Sequence, residues 1–291
     1  MSDNLSFSNN DDFGPYECYF TSPDKFIFIT FNITQVVVLF PLCIAILYLG
    51  FQQLQQSRST SLAVKISHSD SFTYHMVIVE LIGVLGCIVS LIGNCMENPD
   101  IVNTGVNIFW FIWYGQMSFH TLTCAERYLA VVHPITYLGL RNGKGVKIRN
   151  ISIGCVWLLC FAGVGLLAAE SYIYLDISLL ISTTITIFFF SISVLCVLIR
   201  PGPGEQDKER SDQSKRRAFY VIVVILGILM LRVTASLAWA FLDVSGHSAQ
   251  CIMMIGCVWI SLPSGLVLPL LYLQRAGKLV FCKDSFKGGT P

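Results

Sequence analysis

The sequence predicts an all-helical membrane protein, built as a bundle of seven transmembrane helices. Of its 291 residues, 54% are hydrophobic and 13% are charged, whereas soluble domains carry about 25% charged residues. Seven apolar segments of roughly 20 residues or more follow one another, and each is long enough to cross about 30 Å of hydrocarbon. Basic residues collect on alternate connections between these segments, which is typical of a multi-pass protein.

The apolar segments divide the chain into three parts: an N-terminal tail at 1–25, a bundle at 26–273 and a C-terminal region at 274–291. The connection at 171–175 is very short, so the count of seven depends most on the fourth and fifth segments. The predicted spans are 26–51, 71–94, 105–131, 150–170, 176–199, 217–242 and 251–273.

The positions of the 19 Lys and Arg residues predict the orientation. All except Lys25 and Arg232 lie between spans one and two, at the end of span three and after it, between spans five and six, or after span seven. Because such residues concentrate on the cytoplasmic side, we expect the N-terminus outside and the C-terminus in the cytoplasm. We also expect the chain to be a multi-pass protein of the plasma membrane.

Both tails carry candidate modification sites. The N-terminal tail is polar and acidic and has no signal-peptide pattern, so the first span is expected to act as the signal anchor. Asn4, in Asn4-Leu5-Ser6, is then a candidate glycosylation site. Residues 274–286 mix apolar and basic residues, which predicts a short amphipathic helix on the inner leaflet with Cys282 as a candidate for palmitoylation. A frayed tail with a free cysteine is the alternative.

An acid and an arginine stand side by side at the inner end of the third span, in Glu126-Arg127-Tyr128. Charges at the membrane boundary are costly unless they are paired. Glu126 can hold Arg127 in a salt bridge, and releasing Arg127 frees five N–H donors toward a cytoplasmic cavity. The simpler interpretation is that both side chains snorkel and anchor the helix end.

Residues 125–134, Ala-Glu-Arg-Tyr-Leu-Ala-Val-Val-His-Pro, resemble the Asp-Arg-Tyr motif and the following loop of the rhodopsin-like G-protein-coupled receptors. Trp157, alone in the fourth span, and Pro269-Leu270-Leu271-Tyr272 in the seventh are similar to further marks of that family, and Glu80 stands where the family usually has Asp. The resemblance implies a divergent cell-surface receptor that couples an extracellular ligand, or basal activity, to a heterotrimeric G protein. Its switch residues are Glu126, Arg127, Tyr128, Pro269 and Tyr272.

The resemblance also implies a ligand pocket at the outer half of the third span, which is rich in aromatic residues. Phe109 stands where receptors for biogenic amines carry an acid, so an amine ligand is not expected. An aromatic stripe also serves in helix packing or as a belt at the lipid interface, and both interpretations stay open. The pocket candidates are Phe109, Trp110, Trp113, Tyr114, Val258 and Trp259.

Several features depart from the family. Leu268 precedes Pro269 where the family has Asn, and the sixth span contains no Pro. The cysteines of the family's extracellular disulfide are absent. Three outer cysteines remain, and Cys18–Cys251 and Cys18–Cys95 are equally allowed by the sequence.

Four polar residues fall near the middle of the second, third and sixth spans: Glu80, Gln116, His120 and Arg232. Gln116 and His120 are four residues apart and share a helix face. Ionisable residues at this depth indicate a functional site. In related receptors the position of Glu80 belongs to a sodium pocket, and our hypothesis is that Arg232 replaces the ion, with His120 as a possible link. The alternative is that Arg232 faces a water pocket alone.

Other functional classes remain as alternatives to a coupled receptor. A receptor-like scaffold or decoy would explain the altered motifs, and a transporter is a further alternative, although the sequence shows no inverted repeat. No nucleophile, base and metal set appears, so an enzyme, a metal site and a cofactor are not expected, and nothing indicates nucleic-acid binding. The expected partners are a G protein, an unidentified ligand and membrane lipid.

Overall fold

The structure is a computed structural model that describes residues 19–20, 22–59, 68–140, 143–167, 172–199, 219–234, 237, 255–256 and 258–275. Within these residues the regular secondary structure is helical, and no strand occurs. The helices are α1 Asp24–Ser59, α2 His68–Cys95, α3 Pro99–Val132, α4 Pro134–Leu140, α5 Gly143–Leu167, α6 Tyr172–Ile199, α7 Phe219–Thr234 and α8 Ser261–Arg275. The prediction of an all-helical chain is confirmed for this part of the protein.

Four helices are long and apolar enough to cross a membrane, namely those containing Asp24–Gln55, Asp70–Cys95, Gly145–Gly165 and Ile177–Val197. They indicate a membrane protein. The predicted count of seven spans is not supported by the described residues. The apolar stretches of α7 and α8, Phe219–Thr234 and Ser261–Gln274, have only 10–17 residues each, and 17 residues of helix span only about 26 Å.

The third predicted span differs for another reason. Helix α3 has 34 residues, or about 51 Å of helix, so its length is sufficient. It is not among the four apolar helices because polar residues such as Gln116 and His120 lower its mean hydropathy. These two side chains are buried inside the protein, where hydrogen bonds to neighbouring helices can satisfy them.

Helix α3 lies at the centre of the bundle and packs on α2, α5, α6 and α8. The apolar window of α2 is 56% buried, against 22% for α1 and α5 and 28% for α6. Helix α2 therefore belongs to the interior with α3, whereas α1, α5 and α6 leave broad apolar faces exposed. We refer to the two ends of the bundle as the Asn98 end and the His133 end, after the residues that flank α3.

A tight connection joins α2 to α3 at the Asn98 end. The Asn98 side chain accepts hydrogen bonds from the backbone N–H groups of Asp100 (3.0 Å) and Ile101 (3.3 Å), and Pro99 occupies the first turn of α3. This cap extends α3 six residues before its predicted start, because an Asn-Pro pair is a strong signal for a helix N-terminus.

Below this connection, α2 and α3 approach at backbone distance along a surface that we call the glycine interface, formed by Gly86, Ser90, Gly93 and Gly105. A methyl group added at Gly105 would lie 2.6 Å from the carbonyl oxygen of Gly86, and one added at Gly93 would lie 2.6 Å from the backbone nitrogen of Val102. No side chain fits between the two helices at these positions.

Candidate functional site

The four mid-span polar residues singled out in the sequence lie together in the structure, and Ser264 of α8 joins them. We call this set, Glu80, Gln116, His120, Arg232 and Ser264, the central polar cluster. Each member is at most 4% exposed. The cluster connects α2 and α3 with α7 and α8, which come much later in the chain.

Gln116 is the link between the two opposite charges of the cluster. Its Nε2 donates to Oε1 of Glu80 at 2.7 Å, and its Oε1 accepts from Nη1 of Arg232 at 2.7 Å. A guanidinium only donates and a carboxylate only accepts, so the amide must face them in this orientation. The two short bonds to charged groups belong to the stronger class of hydrogen bonds.

His120 does not occupy the linking position that the sequence hypothesis gave it. Its Nε2 lies 3.3 Å from Oγ of Ser264, and the same hydroxyl accepts from Nη1 of Arg232 at 3.3 Å. Because a hydroxyl that accepts from Arg232 can still donate its own proton, His120 can act as the acceptor at the end of this branch. His120 therefore reaches Arg232 through Ser264, whereas Gln116 reaches Glu80 directly.

Two neighbours fit the cluster closely. A methyl group at Gly265 would lie 2.9 Å from Oε2 of Glu80, so the glycine makes room for the carboxylate. The guanidinium carbon of Arg232 lies 3.7 Å from the centroid of a Trp113 ring, which places the cation over the ring face. Arg232 is thus held by the amide of Gln116, the hydroxyl of Ser264 and the indole of Trp113.

Helix α8 supplies a polar face that sequence reasoning missed. Gln116 Nε2 also donates to the backbone oxygen of Ser261 at 3.3 Å, and Gln35 of α1 donates to the Ser261 hydroxyl at 3.4 Å. Ser261, Ser264 and Gly265 share one helix face because they are three and four residues apart. This spacing of small residues was the available signal for a surface that faces buried polar groups.

At the His133 end, the carboxylate of the Glu126-Arg127-Tyr128 motif is bound by α4. The hydroxyl of Tyr137 donates to Oε1 of Glu126 at 3.1 Å, and Glu126 is 7% exposed. Arg127 is half-buried beside it. The short helix α4 and its Tyr137 were not predicted, although Pro134 in a first helical turn was a usable signal.

Tyr128 points along α3 toward α6 and the start of α4. Its ring stacks on Phe190 with centroids 4.9 Å apart, and its hydroxyl lies 3.3 Å from Nε2 of His133. The motif therefore contacts two different helices: Glu126 reaches α4 and Tyr128 reaches α6.

Tyr272 of α8 meets the part of α2 at the His133 end. Its hydroxyl lies 2.9 Å from that of Tyr74, which in turn donates to Oε1 of Gln53 on α1 at 3.3 Å. Because the hydroxyl of Tyr74 donates its proton to Gln53, the hydroxyl of Tyr272 is left as the donor between the two phenols. Pro269, one turn earlier in α8, is buried. This contact joins α1, α2 and α8 at the His133 end.

The six pocket candidates do not line one place. Phe109 and Trp259 both contact Phe31 of α1, with centroids 5.4 and 5.5 Å apart, and Trp110 belongs to the same aromatic region at the Asn98 end. We call Phe31, Phe109, Trp110 and Trp259 the aromatic cluster; Phe31 was not predicted.

The remaining pocket candidates have other surroundings. Trp113 covers Arg232 in the central polar cluster, and its ring also meets that of Trp110 at the edge of the aromatic cluster, with centroids 5.8 Å apart. Tyr114 is 1% exposed and its ring packs on Gly163 of α5. Val258 uses its backbone oxygen to accept from the Ser261 hydroxyl at 2.6 Å.

The modification and disulfide candidates fall mostly outside the described residues, which include neither Asn4, Cys18, Cys251 nor Cys282. The predicted amphipathic helix beyond Arg275 also lies outside them. Cys95 is exposed at the end of α2, and its thiol is free. Among the described residues, no group of three His, Cys, Asp or Glu side chains is placed to hold a metal ion.

Comparison of the chain with models of known protein families and with curated proteins finds no match in either.

Proposed function

We propose that this protein is a cell-surface receptor that couples an extracellular ligand, or its own basal activity, to a heterotrimeric G protein. In this proposal seven helices cross the plasma membrane, the Asn98 end faces outward and the His133 end faces the cytoplasm. The observation that carries the proposal is the contact between Tyr137 and Glu126, which closes α4 over the end of α3 beside Arg127. The similarity of residues 125–134 to the rhodopsin-like receptors supports it.

The surface around this contact suits a protein partner. Ile135 is 85% exposed and Leu138 is 60% exposed on α4, and the charged end of α3 lies directly beside them. Apolar anchors next to a positive charge are common at the centre of protein interfaces. Breaking the Tyr137–Glu126 bond would free the carboxylate and let the end of α3 and α4 rearrange around an incoming partner.

A route from the outer end to this surface follows contacts described above. A ligand that displaces the aromatic cluster would move α3 near Trp113, which lies over Arg232. Arg232 is bound to Gln116 and Ser264, and α8 continues from Ser264 to Tyr272 and its contact with Tyr74. Each step is a contact between packed groups, and in the proposed switch each contact would change from this arrangement to a second one.

The proposed ligand is not a biogenic amine. Phe109 has no charge to pair with an ammonium group, and the aromatic cluster around it consists of aromatic rings. Such a surface favours a ligand with apolar or aromatic groups. The broad exposed apolar faces of α1, α5 and α6 are assigned to lipid contact.

The test uses the full-length chain in cell membranes, with nucleotide exchange measured on a panel of G-protein subtypes. We expect exchange above that of membranes without the protein, and loss of this signal in Arg127→Ala at unchanged surface level. Lys147→Ala is the matched control, because Lys147 is exposed on α5 and should leave exchange unchanged.

A chain that produces no exchange with any subtype, or an Arg127→Ala variant as active as wild type, would reject coupling through this motif. The receptor-like scaffold would then become the better proposal, and Leu268 beside Pro269 is the residue that favours it. Substrate-dependent flux across the membrane would instead point to a transporter.

A further inference from the structure

The buried guanidinium of Arg232 joins α7 to the rest of the bundle. Helix α7 otherwise packs through apolar side chains such as Val221, Ile225 and Leu229. Arg232 adds hydrogen bonds to Gln116 of α3 at 2.7 Å and to Ser264 of α8 at 3.3 Å. The side chain is 2% exposed, so these bonds form in a region of low dielectric, where they are strongest.

The position of α7 is tied to the charge balance of the cluster. Glu80 is 0% exposed, and Gln116 connects it to Arg232 through one donor and one acceptor of the same amide. Moving α7 away from α3 would take the guanidinium from the amide oxygen. It would also remove the positive charge that compensates the buried carboxylate, and an uncompensated charge in such a place is strongly disfavoured.

We infer that Arg232 and Gln116 form a latch that holds α7 against α3 and α8 in the resting receptor, and that release of this latch opens the His133 end. This inference rests on the proposed function for its signalling consequence, but the latch itself is a property of the bundle. The positive charge that compensates Glu80 is the side chain of Arg232 and not a bound ion. Because a guanidinium keeps its charge at every accessible pH, the latch stays charged wherever α7 is in place.

The first experiment measures amide hydrogen exchange of α7 in the purified full-length protein in nanodiscs, without G protein. In Arg232→Met, which keeps the length of the side chain but removes its charge, we expect exchange in residues 219–234 to rise roughly tenfold or more. Gln116→Met should have the same effect while keeping both charges. The α2 and α3 segments at the glycine interface should remain at the wild-type rate.

The matched control is Leu231→Met, which introduces the same residue one position earlier on α7, where the side chain is 50% exposed. It should leave α7 exchange unchanged. If α7 exchange in Arg232→Met and Gln116→Met equals that of Leu231→Met, the latch is wrong. If exchange rises equally in every helix, the two residues hold the whole fold and the latch is also wrong.

A double-mutant cycle tests whether Glu80 is part of the latch. If the charges compensate each other, Glu80→Gln and Arg232→Met should each lower the thermal midpoint, and the double variant should lose less than the sum of the two. Additive losses would overturn the charge coupling. If one single variant is recovered in low yield, the double variant can still be compared with the other, because it removes both buried charges together.

Basal nucleotide exchange then separates the latch from the proposed function. If Arg232→Met raises both the amide exchange of α7 and the basal nucleotide exchange of the G protein, the latch and the proposed function are both supported. A loosened α7 in a chain that activates no G protein supports the latch and rejects the proposed function. If Arg127→Ala abolishes nucleotide exchange but Arg232→Met leaves basal nucleotide exchange at the wild-type level, the latch is not the signalling step.

Discussion

The glycine interface and the central polar cluster hold α3 in two different ways. At the glycine interface, α2 and α3 touch through backbone atoms, and no side chain can adjust between them. In the central polar cluster, α3 meets α7 and α8 through long polar side chains whose hydrogen bonds can be broken and formed again. The glycine interface sets the distance between α2 and α3, whereas the central polar cluster sets which charged groups are paired.

The difference indicates which helices can move. Packing between backbone surfaces loses its attraction steeply when the two surfaces separate. A polar contact can exchange partners when a neighbour moves. Helices α2 and α3 should therefore behave as one rigid unit, whereas α7 and the part of α8 toward the His133 end are the elements able to shift. The next four predictions test this division.

The largest effect is expected at the glycine interface. Gly105→Val would force a side chain against Gly86 and Ser90 and should cost about 3 kcal/mol or more of stability, at the upper end for overpacking. Surface expression and thermal unfolding in detergent would measure this loss. Gly154→Val is the control, because nothing lies within 4 Å of a methyl group at Gly154 on α5. If the two variants are equally stable, the glycine interface does not hold α2 and α3 as a rigid unit.

A smaller loss is expected where a glycine borders the polar cluster. Gly265→Ala would bring a methyl group within 2.9 Å of Oε2 of Glu80. The carboxylate can rotate away, so we expect a loss of about 1–3 kcal/mol, together with faster amide exchange in α7. Gly227→Ala on α7, where the methyl group meets nothing within 4 Å, should show neither change. An unaltered α7 in Gly265→Ala would mean that Glu80 does not influence Arg232.

The third prediction concerns the indole above Arg232. Replacing Trp113 by Leu removes the ring face from the cation, an interaction worth about 0.5–2 kcal/mol. Amide exchange should therefore rise in α7. Trp157→Leu is the control, because Trp157 on α5 packs against Phe111 and Phe161, away from the guanidinium. This control should reduce stability through lost packing and leave α7 unchanged, and a similar response of α7 in both variants would contradict the role of Trp113.

The smallest effect is expected for the phenol pair at the His133 end. Tyr272→Phe removes a single hydrogen bond and should cost about 0.5–1.5 kcal/mol, measured as the thermal midpoint. Adding Tyr74→Phe should cost less than it does alone, because its partner is already lost. Tyr220→Phe, on a side chain that is 61% exposed, should be neutral. Additive losses at Tyr74 and Tyr272 would show that the two hydroxyls do not depend on each other.

The helices could be predicted because apolar length is a property of each segment alone. The first, second and fifth spans were predicted within the bounds of α1, α2 and α6, and the differences arise mainly where the helices continue past the apolar stretch. Helix α4 was missed because seven residues are too few for a periodic pattern. The count of seven spans is a different matter, because α7 and α8 are described over too few residues to cross a membrane.

Four of the five members of the central polar cluster were predicted, but Ser264 and the connections within the cluster were not. The prediction selected Glu80, Gln116, His120 and Arg232 because each is a polar residue near the middle of a predicted span. Gln116 and His120 share a face of α3 but lie about one turn apart along it. Which of them lies between the charges therefore depends on how far α2 and α7 are shifted along α3, and a sequence does not contain that offset. The same limit applies to Phe31 with Trp259, since the two residues come from opposite ends of the chain.

The buried arginine also affects how the protein is made. An arginine at the centre of a membrane helix costs roughly 2.5–3.5 kcal/mol during insertion by the translocon. Glu80 and Gln116 precede Arg232 in the chain, so the ribosome delivers the carboxylate and the amide before the cation that binds them. The α2–α3 hairpin can therefore receive α7 as it leaves the translocon. In the proposed topology, the order of synthesis ensures that the cation enters the bilayer with its partners already in place.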